Sequence, residues 1–290
     1  MRDEVTSLAP GLYLVATPIG NLEDITLRAL RVLREADRIA CEDTRQTQKL
    51  LNHFAIAKAT LSLHGHNEAA RTPELLAALQ TGERIAVVSD AGMPGISDPG
   101  MHLASAALEA GVAVYPVPGA NAALTALVAS GLPAERFLFF GFLPSKAGER
   151  RTALEKLREG TDERLTVVFY EAPHRIVETL GDLAAVWGED ARVVLARELT
   201  KLHEEFLRGT VAEVREALTV RDRVRGEMVL LLDAVPEARA VVAESVGERV
   251  AALAREEGLD ERDALKRVAR ERGVSKSDAY RELQRERGKR

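Results

Sequence analysis

The sequence predicts an α/β protein with two lobes and a small helical region at its C-terminal end. Over residues 10–119, short apolar segments alternate with amphipathic stretches, which is typical of a mostly parallel sheet covered by helices. Residues 120–235 hold a second set of strand-like segments, and residues 236–290 hold none. The length of 290 residues and the hydrophobic content of 46% are sufficient for a core in each lobe.

Five buried strands are predicted in the first lobe, because each is a short apolar run bounded by polar or turn-forming residues. They cover residues 12–16, 38–41, 60–63, 85–89 and 112–117. A helix follows the first strand, since Ile25, Ala29, Val32 and Ala36 recur at spacings of 4, 3 and 4 and form one apolar stripe.

The second lobe is predicted to open with a helix of small residues over positions 120–130. Its strands cover residues 137–143, 165–170, 193–197, 206–211 and 228–232. Only turn-type residues separate Arg197 from Phe206, which favours an antiparallel pair and therefore a mixed sheet. Between the first two strands, residues 146–164 carry six Lys or Arg side chains and predict an amphipathic basic helix, most simply a surface helix.

Positive charge is concentrated at the C-terminal end. Residues 262–290 hold 11 Lys/Arg against 5 Asp/Glu, so this segment carries +6, and the remaining 29 Lys/Arg against 40 Asp/Glu give −11. Residues 264–272, a turn at Gly273 and residues 275–285 predict a helix-turn-helix that could contact nucleic acid through Lys276, Arg281 and Arg285. A solvated helical face would explain the charge equally well.

The chain has one cysteine, Cys41, which excludes an internal disulfide and a metal site built from several cysteines. The first residues are acidic and carry no apolar leader segment, and no apolar run approaches the ~20 residues of a membrane span. We therefore expect a cytoplasmic protein without a membrane-spanning segment.

Residues 87–100 leave a buried strand and open a helix, with Asp98 as the expected N-cap and Pro99 at the first helical position. Three glycines permit close approach of the backbone to a ligand, although a structural turn would use the same residues. No Lys or Arg occurs between Arg84 and Arg136, and neither common phosphate-binding motif is present, so a polyphosphate fits poorly. S-adenosylmethionine has no phosphate and carries a cationic sulfonium, which suits this loop.

Six segments in order carry a resemblance to a known family. They are GLYLVATPIGNLEDIT (11–26), CEDTR (41–45), VVSDAGMPGISDPG (87–100), PGA (118–120), FYEAPHR (169–175) and ARELTK (196–201). Together they resemble the small-subunit ribosomal RNA methyltransferase branch of the tetrapyrrole methylase superfamily. Corrin and porphyrin methylases of that superfamily carry a G-x-G-P-G-type loop where this chain has Thr17-Pro18-Ile19-Gly20-Asn21.

The resemblance implies a tetrapyrrole-methylase-like fold, a cofactor cleft between the lobes and a homodimer. It also implies 2′-O-methylation of the ribose of a cytidine in the decoding centre of 16S rRNA, with the small ribosomal subunit as the partner. The residues assigned to S-adenosylmethionine by motif position are Asp90, Ala91, Gly92, Pro94, Ser97, Ala120, Tyr170 and Met228.

Polar clusters that follow predicted strands supply the remaining candidates. Glu42, Asp43, His66, Glu171 and Glu198 are candidate proton acceptors, which an oxygen methyltransferase needs only for removal of the hydroxyl proton. The candidates for RNA phosphates in the lobes are Arg45, Arg175, Arg197 and Lys201.

Each cluster has a structural alternative. Residues 42–43 and 171–175 could start helices, and the residues around Arg197 could form an ion-pair cluster. His64 and His66 could bind a metal, but no third ligand lies nearby in the sequence, so no metal is predicted.

Three other functions stay open at this point. They are C-methylation in tetrapyrrole synthesis, methylation of a protein by a diphthine synthase-like enzyme, and DNA binding by a regulator with an α/β sensor domain. The C-terminal charge and the loop at residues 17–21 disfavour the first, and the polar clusters after the strands disfavour the last.

Overall fold

The computed structural model describes residues 7–236 and 245–287. The chain divides into two compact units, Met1–Val235 and Pro236–Arg290. Within the described residues, no helix is both long enough and apolar enough to cross a membrane.

The first sheet has five parallel strands in the order β3-β2-β4-β1-β5. They are β1 (Gly11–Val15), β2 (Arg38–Cys41), β3 (Thr60–Ser62), β4 (Arg84–Val88) and β5 (Val114–Val117). Strand β1 pairs with both β4 and β5, so Leu12 lies opposite Ile85 on one side and Val114 on the other. The carboxyl ends of parallel strands lie at one edge, which is where open α/β sheets bind ligands.

Both faces of this sheet are covered by helices. These are α1 (Leu27–Glu35), α2 (Thr44–His53), α3 (Glu68–Gln80) and α4 (Met101–Glu109). Side chains of β1 alternate between the faces, so Tyr13 joins the apolar cluster that contains Leu33, whereas Leu12 joins the cluster that contains Leu75 and Leu103. Two of these helices begin at a side-chain cap, since Thr26 accepts from the amide of Ala29 at the start of α1 and Asp43 accepts from the amide of Arg45 at the start of α2.

The second sheet is mixed, in the order β6-β7-β10-β8-β9, and only the β6–β7 pair is parallel. Its strands are β6 (Phe137–Phe142), β7 (Leu165–Glu171), β8 (Arg192–Arg197), β9 (Glu205–Thr210) and β10 (Met228–Ala234). The helices are α5 (Ala122–Ser130), α6 (Ala147–Glu159), α7 (Ile176–Trp187) and α8 (Val211–Thr219). Leu127 of α5 packs on one face with Val229, and Leu180 of α7 packs on the other with Leu230. The predicted fold class, with one parallel and one mixed sheet, is confirmed.

The predicted surface helix over residues 146–164 is wrong in two respects. It ends at Glu159, and Arg164 pairs instead with Asp233 of β10. The side chain of Arg150 is only 2% exposed, and its Nε donates to Oδ2 of Asp182 at 2.6 Å. A buried guanidinium requires such a charged partner, and Asp182 lies 32 residues away, outside the local pattern.

The described part of the second unit, residues 245–287, contains three helices, α9 (Val246–Glu256), α10 (Glu261–Glu271) and α11 (Lys276–Arg287). They surround a separate apolar cluster that includes Leu253, Leu265, Val268 and Leu283. Gly273 adopts φ +63° between the last two helices, and the hydroxyl of Ser275 accepts from the amide of Asp278 at the start of α11. The C-terminal helical region predicted from the sequence is therefore present.

Candidate functional site: a cavity lined by both lobes

A cavity of about 380 Å³ is lined by residues of both lobes, and this volume suits a small organic ligand. The first lobe contributes Ile19, Ala91, Gly92, Met93, Ile96, Ser97 and Asp98. The second lobe contributes Asn121, Ala122, Phe142, Tyr170, Glu171, Ala172, Pro173, Ala196, Leu199, Gly226, Glu227, Met228 and Val229. None of these lining residues, all within the described part of the chain, is a lysine or an arginine.

The loop after β4 forms one wall of the cavity. Gly92 adopts φ +83°, a conformation that glycine takes without the steric cost other residues bear. The amide of Gly92 donates to the carbonyl of Thr17 at 3.0 Å, and the amide of Thr17 donates to the carbonyl of Gly92 at 2.9 Å. These two bonds join the loops that follow β4 and β1, and Ile19 and Gly92 thereby lie in the same wall.

The helix after this loop starts at Met101, with Gly100 as its N-cap at φ +124°. The predicted N-cap role of Asp98 is therefore wrong. The first amides of α4 are satisfied by Glu68 instead, whose Oε1 accepts from Gly100, His102 and Leu103 at 2.9, 2.9 and 3.2 Å. A buried carboxylate is stabilised at a helix N-terminus by these bonds and by the helix dipole.

Asp98 does not cap the helix and lies instead in the wall of the cavity. The pKa of Asp98 is raised to about 6, chiefly by burial and also by the carboxylates of Glu42 and Asp90, while a hydrogen bond with Ser89 acts in the opposite direction. Burial also raises the pKa of both Glu42 and Asp90. Asp98 lies in the cavity wall, and Glu42 and Asp90 are near enough to raise its pKa, so the potential on this side of the cavity is negative and favours a cationic ligand group.

The opposite wall is formed by the loops after β8 and before β10. Glu198 and Thr200 adopt φ +52° and +64°, which is unusual for residues with a side chain. The strain is held by Oε1 of Glu198, which accepts from the amide of Glu227 at 2.9 Å and from Nζ of Lys201 at 2.8 Å. Gly226 is required here, since a Cβ at this position would lie 2.5 Å from Cγ of Glu198.

Five of the eight residues assigned to the cofactor from the sequence line this cavity, namely Ala91, Gly92, Ser97, Tyr170 and Met228. Asp90 lies in the wall of a neighbouring cavity, and Pro94 and Ala120 lie outside both linings. The sequence reasoning missed Asp98 and Asn121, although both stand beside assigned residues in the same motifs. Phe142 and Gly226 gave no such signal. Phe142 reaches the cavity through the pairing of β6 with β7, and Gly226 reaches it in the loop that precedes β10.

The structure separates the candidate proton acceptors by their surroundings. Asp43 is the N-cap of α2, and its Oδ1 accepts from the amide of Arg45 at 2.8 Å. Glu171 is 3% exposed, and its two oxygens accept from the hydroxyl of Thr179 at 2.6 Å and the amide of Ala172 at 2.8 Å. Both carboxylates thus have structural partners that compete with a substrate proton.

Glu198 also has a structural role, since it bridges two loops and Lys201 lowers its pKa. His66 is exposed, and its ring lies 6.0 Å from that of His64. Glu42, whose pKa is raised by burial and by Asp90, keeps the character of a proton acceptor. Among the described residues, no group of three or more His, Cys, Asp or Glu side chains is placed to hold a metal ion.

Three of the cations assigned to RNA in the lobes are held by protein groups. Nη2 of Arg175 donates to the carbonyls of residues 143 and 144 at 2.9 and 3.0 Å, beside the buried Glu171. Arg197 pairs with Glu205 at 2.9 Å, and Lys201 pairs with Glu198 as described above. Arg45, by contrast, is exposed in the first turn of α2.

The cations assigned to RNA in the C-terminal unit, Lys276, Arg281 and Arg285, are exposed on α11. Arg281 donates to Asp278 at 2.6 Å, one turn earlier on the same helix. Exposed pairs of this kind are weak and leave the guanidinium available to a phosphate.

A second cavity, of about 400 Å³, shares Ile19, Ala91 and Glu227 with the first. More than half of its lining residues are polar or charged. The complete lining is Thr17, Pro18, Ile19, Gly20, Leu22, Gln46, Thr47, Lys49, Leu50, Ser89, Asp90, Ala91, Lys201 and Glu227. The loop at residues 89–91 therefore faces two adjoining spaces of different character.

Comparison with known proteins agrees with this arrangement. The family model of the tetrapyrrole (corrin/porphyrin) methylases matches residues 11–215. The chain is 54% identical over 226 residues to a ribosomal RNA small subunit methyltransferase I of Halalkalibacterium halodurans, which covers 77% of this chain and 75% of that protein. It is 51% identical over 223 residues to the protein of that name from Escherichia coli O157:H7, with 77% of each chain covered.

A uroporphyrin-III C-methyltransferase from Thermus thermophilus, solved as a complex with S-adenyl homocysteine, shares the fold. Its TM-score is 0.52 at 22% identity, and the match covers 77% of this chain and 96% of that chain. The fold, the family model over most of the two lobes and the relatives at about half identity lead to one conclusion. The chain belongs to the family of the tetrapyrrole methylases.

Proposed function

We propose that this protein transfers a methyl group from S-adenosylmethionine to the 2′-hydroxyl of a cytidine ribose in the decoding centre of 16S rRNA. The observation that supports S-adenosylmethionine as the cofactor is the cavity lined by both lobes. Its wall contains the Asp98 carboxylate, and no Lys or Arg is among the described lining residues. Such a wall suits a sulfonium and disfavours a phosphate. The names of the relatives support small-subunit rRNA as the substrate.

S-adenosylmethionine, when bound, supplies an electrophilic methyl whose bond to sulfur breaks as the bond to the hydroxyl oxygen forms, so the sulfur keeps the electron pair. The residues of the chain align the reactants and hold their charges. Asp98, which lies in the cavity wall and has a pKa of about 6, would be ionised at neutral pH and would stabilise a cationic sulfonium. Gly92 lets the backbone approach closely. Glu42 lies outside both cavity linings, and it is kept as the candidate for the hydroxyl proton because burial and Asp90 raise its pKa and it is near enough to Asp98 to raise that pKa as well.

We also propose that the protein acts as a homodimer in the cytoplasm, on the small ribosomal subunit. Large apolar side chains stay exposed on two helices of the lobes, including Met101 and Leu108 on α4 and Val128 on α5, which are 54%, 63% and 78% exposed. Large exposed apolar side chains that form a patch are typical of interaction surfaces such as subunit interfaces. Sedimentation equilibrium on the wild type and on Leu108→Glu tests this, and a monomeric wild type would contradict it.

The decisive experiment uses S-adenosylmethionine with a labelled methyl group. We expect label in small-subunit rRNA and, after nuclease digestion, in 2′-O-methylcytidine. Parallel reactions contain a porphyrin precursor or a total protein fraction as the acceptor. Label in either of these and none in RNA would replace the proposed function by C-methylation or by protein methylation.

A further inference from the structure

The second cavity adjoins the space assigned to the cofactor. The two share Ile19, Ala91 and Glu227 in their walls, so ligands in the two cavities would lie next to each other. Displacement at a methyl group requires that the attacking oxygen lie about 3–3.5 Å from the methyl carbon and in line with its bond to the leaving sulfur. An acceptor nucleotide must therefore enter a space beside the cofactor, and this polar cavity is such a space.

Two side chains in this wall have defined hydrogen-bonding roles. Oε1 of Gln46 accepts from Nζ of Lys49 at 2.9 Å, so the amide NH₂ of Gln46 is left as a donor. Oδ1 of Asp90 accepts from the amide of Asp43 at 3.0 Å, so Oδ2 is left as an acceptor. The wall therefore offers one oriented donor and one oriented acceptor.

Resting on the proposed function, we propose that this cavity binds the acceptor nucleotide and that Asp90 and Gln46 select cytosine. Cytosine presents an amino donor at N4 and acceptors at N3 and O2, and carboxylates are suited to accept from N4. Asp90 accepts from this amino group, and Gln46 donates to a ring acceptor. Uracil presents an acceptor at position 4 and a donor at N3, so it would place like groups against both side chains.

The cations beside the cavity suit the backbone of the same nucleotide. Arg45 and Lys49 lie four residues apart, on one face of α2, and both are exposed. Lys49 is in the cavity wall, and its Nζ donates to the neutral side-chain amide of Gln46. Its charge is therefore available to a phosphate, unlike that of Lys201, which two carboxylates neutralise.

The test compares small subunits that carry cytidine or uridine at the acceptor position. The kcat/KM ratio for the two substrates is measured for the wild type, Asp90→Asn and Gln46→Ala. Asp90→Asn keeps an oxygen for the amide of Asp43 but presents a donor to the base. The matched controls are Gln48→Ala, on the same helix but outside the cavity, and Asp24→Asn, an exposed acid.

The wild type should prefer cytidine by about tenfold or more, which is the discrimination expected of one good base contact. Both variants should lower this preference about tenfold, chiefly by slowing the cytidine reaction, whereas the controls keep the wild-type ratio. Gln46→Ala should retain the wild-type affinity for S-adenosylmethionine.

The possible failures are distinguishable. If the wild type methylates neither RNA, the proposed function itself fails. If the wild type methylates both equally, or if the variants keep its preference, RNA methylation stands and the selection of cytosine is overturned. If a variant slows both substrates equally and lowers the melting temperature, its residue is structural, and that also overturns the inference.

Discussion

Asp98 shows how the cavity couples protonation to ligand charge. Burial and two nearby carboxylates raise its pKa to about 6, so the side chain is neutral at pH 5 and ionised at pH 7.5. A sulfonium is attracted only by the ionised form. By linkage, a bound cation lowers this pKa, and affinity for the cation rises as pH increases through it.

We therefore expect S-adenosylmethionine to gain affinity over S-adenosylhomocysteine, whose sulfur is neutral, as pH rises from 5 to 7.5. The affinity ratio should increase by about tenfold, equivalent to about 1.4 kcal/mol. Asp98→Asn should make the ratio independent of pH. Calorimetric titration with both ligands at the two pH values measures this. A wild-type ratio that does not change with pH would assign the sulfonium to another part of the cavity.

Gly92 supports a second prediction at the scale of one residue. Gly92→Val should weaken binding of S-adenosylmethionine by at least about tenfold, because φ +83° strains a branched residue and its methyls would project beside the cavity. Gly82→Val is the matched control, since Gly82 has a similar φ of +94° but nothing within 4 Å of its Cβ position. If both variants bind the cofactor equally well, Gly92 does not contact it.

At the scale of elements, one carboxylate on α3 holds the start of α4 and with it the end of the cofactor loop. Glu68→Ala should remove the acceptor for three amides and destabilise the protein by about 3 kcal/mol, whereas Glu68→Gln keeps an acceptor and should cost about 1 kcal/mol. Urea unfolding of the two variants tests this order. Glu74→Ala, on the same helix but exposed, provides the control. Equal effects at positions 68 and 74 would contradict the capping role.

The same carboxylate explains which elements could be predicted from the sequence. Buried strands such as β4 carry a continuous apolar run, and their predicted bounds agree with the structure to within one or two residues. The start of α4 was misassigned because its cap comes from Glu68, over 30 residues earlier in the chain. Arg150 was misassigned for the same reason, since Asp182 belongs to another helix. Local patterns report periodicity, but they do not report partners distant in sequence.

The residues of the candidate site also divide into those that the sequence could predict and those that it could not. Residues of the loop after β4 could be assigned from a motif because the motif is contiguous, and three of them line the cavity. Arg175 and Lys201 looked equally suited to phosphate in the sequence, yet carbonyls and carboxylates of the fold hold them. The charge of a residue can be read from a sequence, whereas its availability depends on its neighbours.

At the scale of the whole molecule, the C-terminal unit has its own apolar cluster and its own helix caps. Removal of residues 236–290 should therefore leave cofactor affinity within about twofold of the wild type while weakening RNA binding. If this unit neutralises about four phosphates, the slope of log affinity against log salt should shrink by about 3. Binding titrations at several salt concentrations measure both quantities.

Charge reversal separates the loss of charge from the loss of structure. The double variant Arg281→Glu and Arg285→Glu changes two exposed positions of α11 and leaves the buried Leu283 in place. It should reduce the salt slope in the same direction as the deletion. An unchanged slope and affinity in both proteins would make the unit a packing element and leave RNA recognition to the lobes.

The strand order of the first sheet also determines when its strands can pair during translation. Strand β1 lies between β4 and β5, and its first residue pairs with Arg84, 73 positions later in the chain. At a translation rate of roughly 5–20 residues per second, this apolar strand waits roughly 4–15 s before its neighbour β4 has been made. Its other neighbour, β5, ends only at Val117. Strand β1 stays unpaired on both sides during this interval, so the earliest-made strand of the first sheet is among the last strands of that sheet to be fully paired.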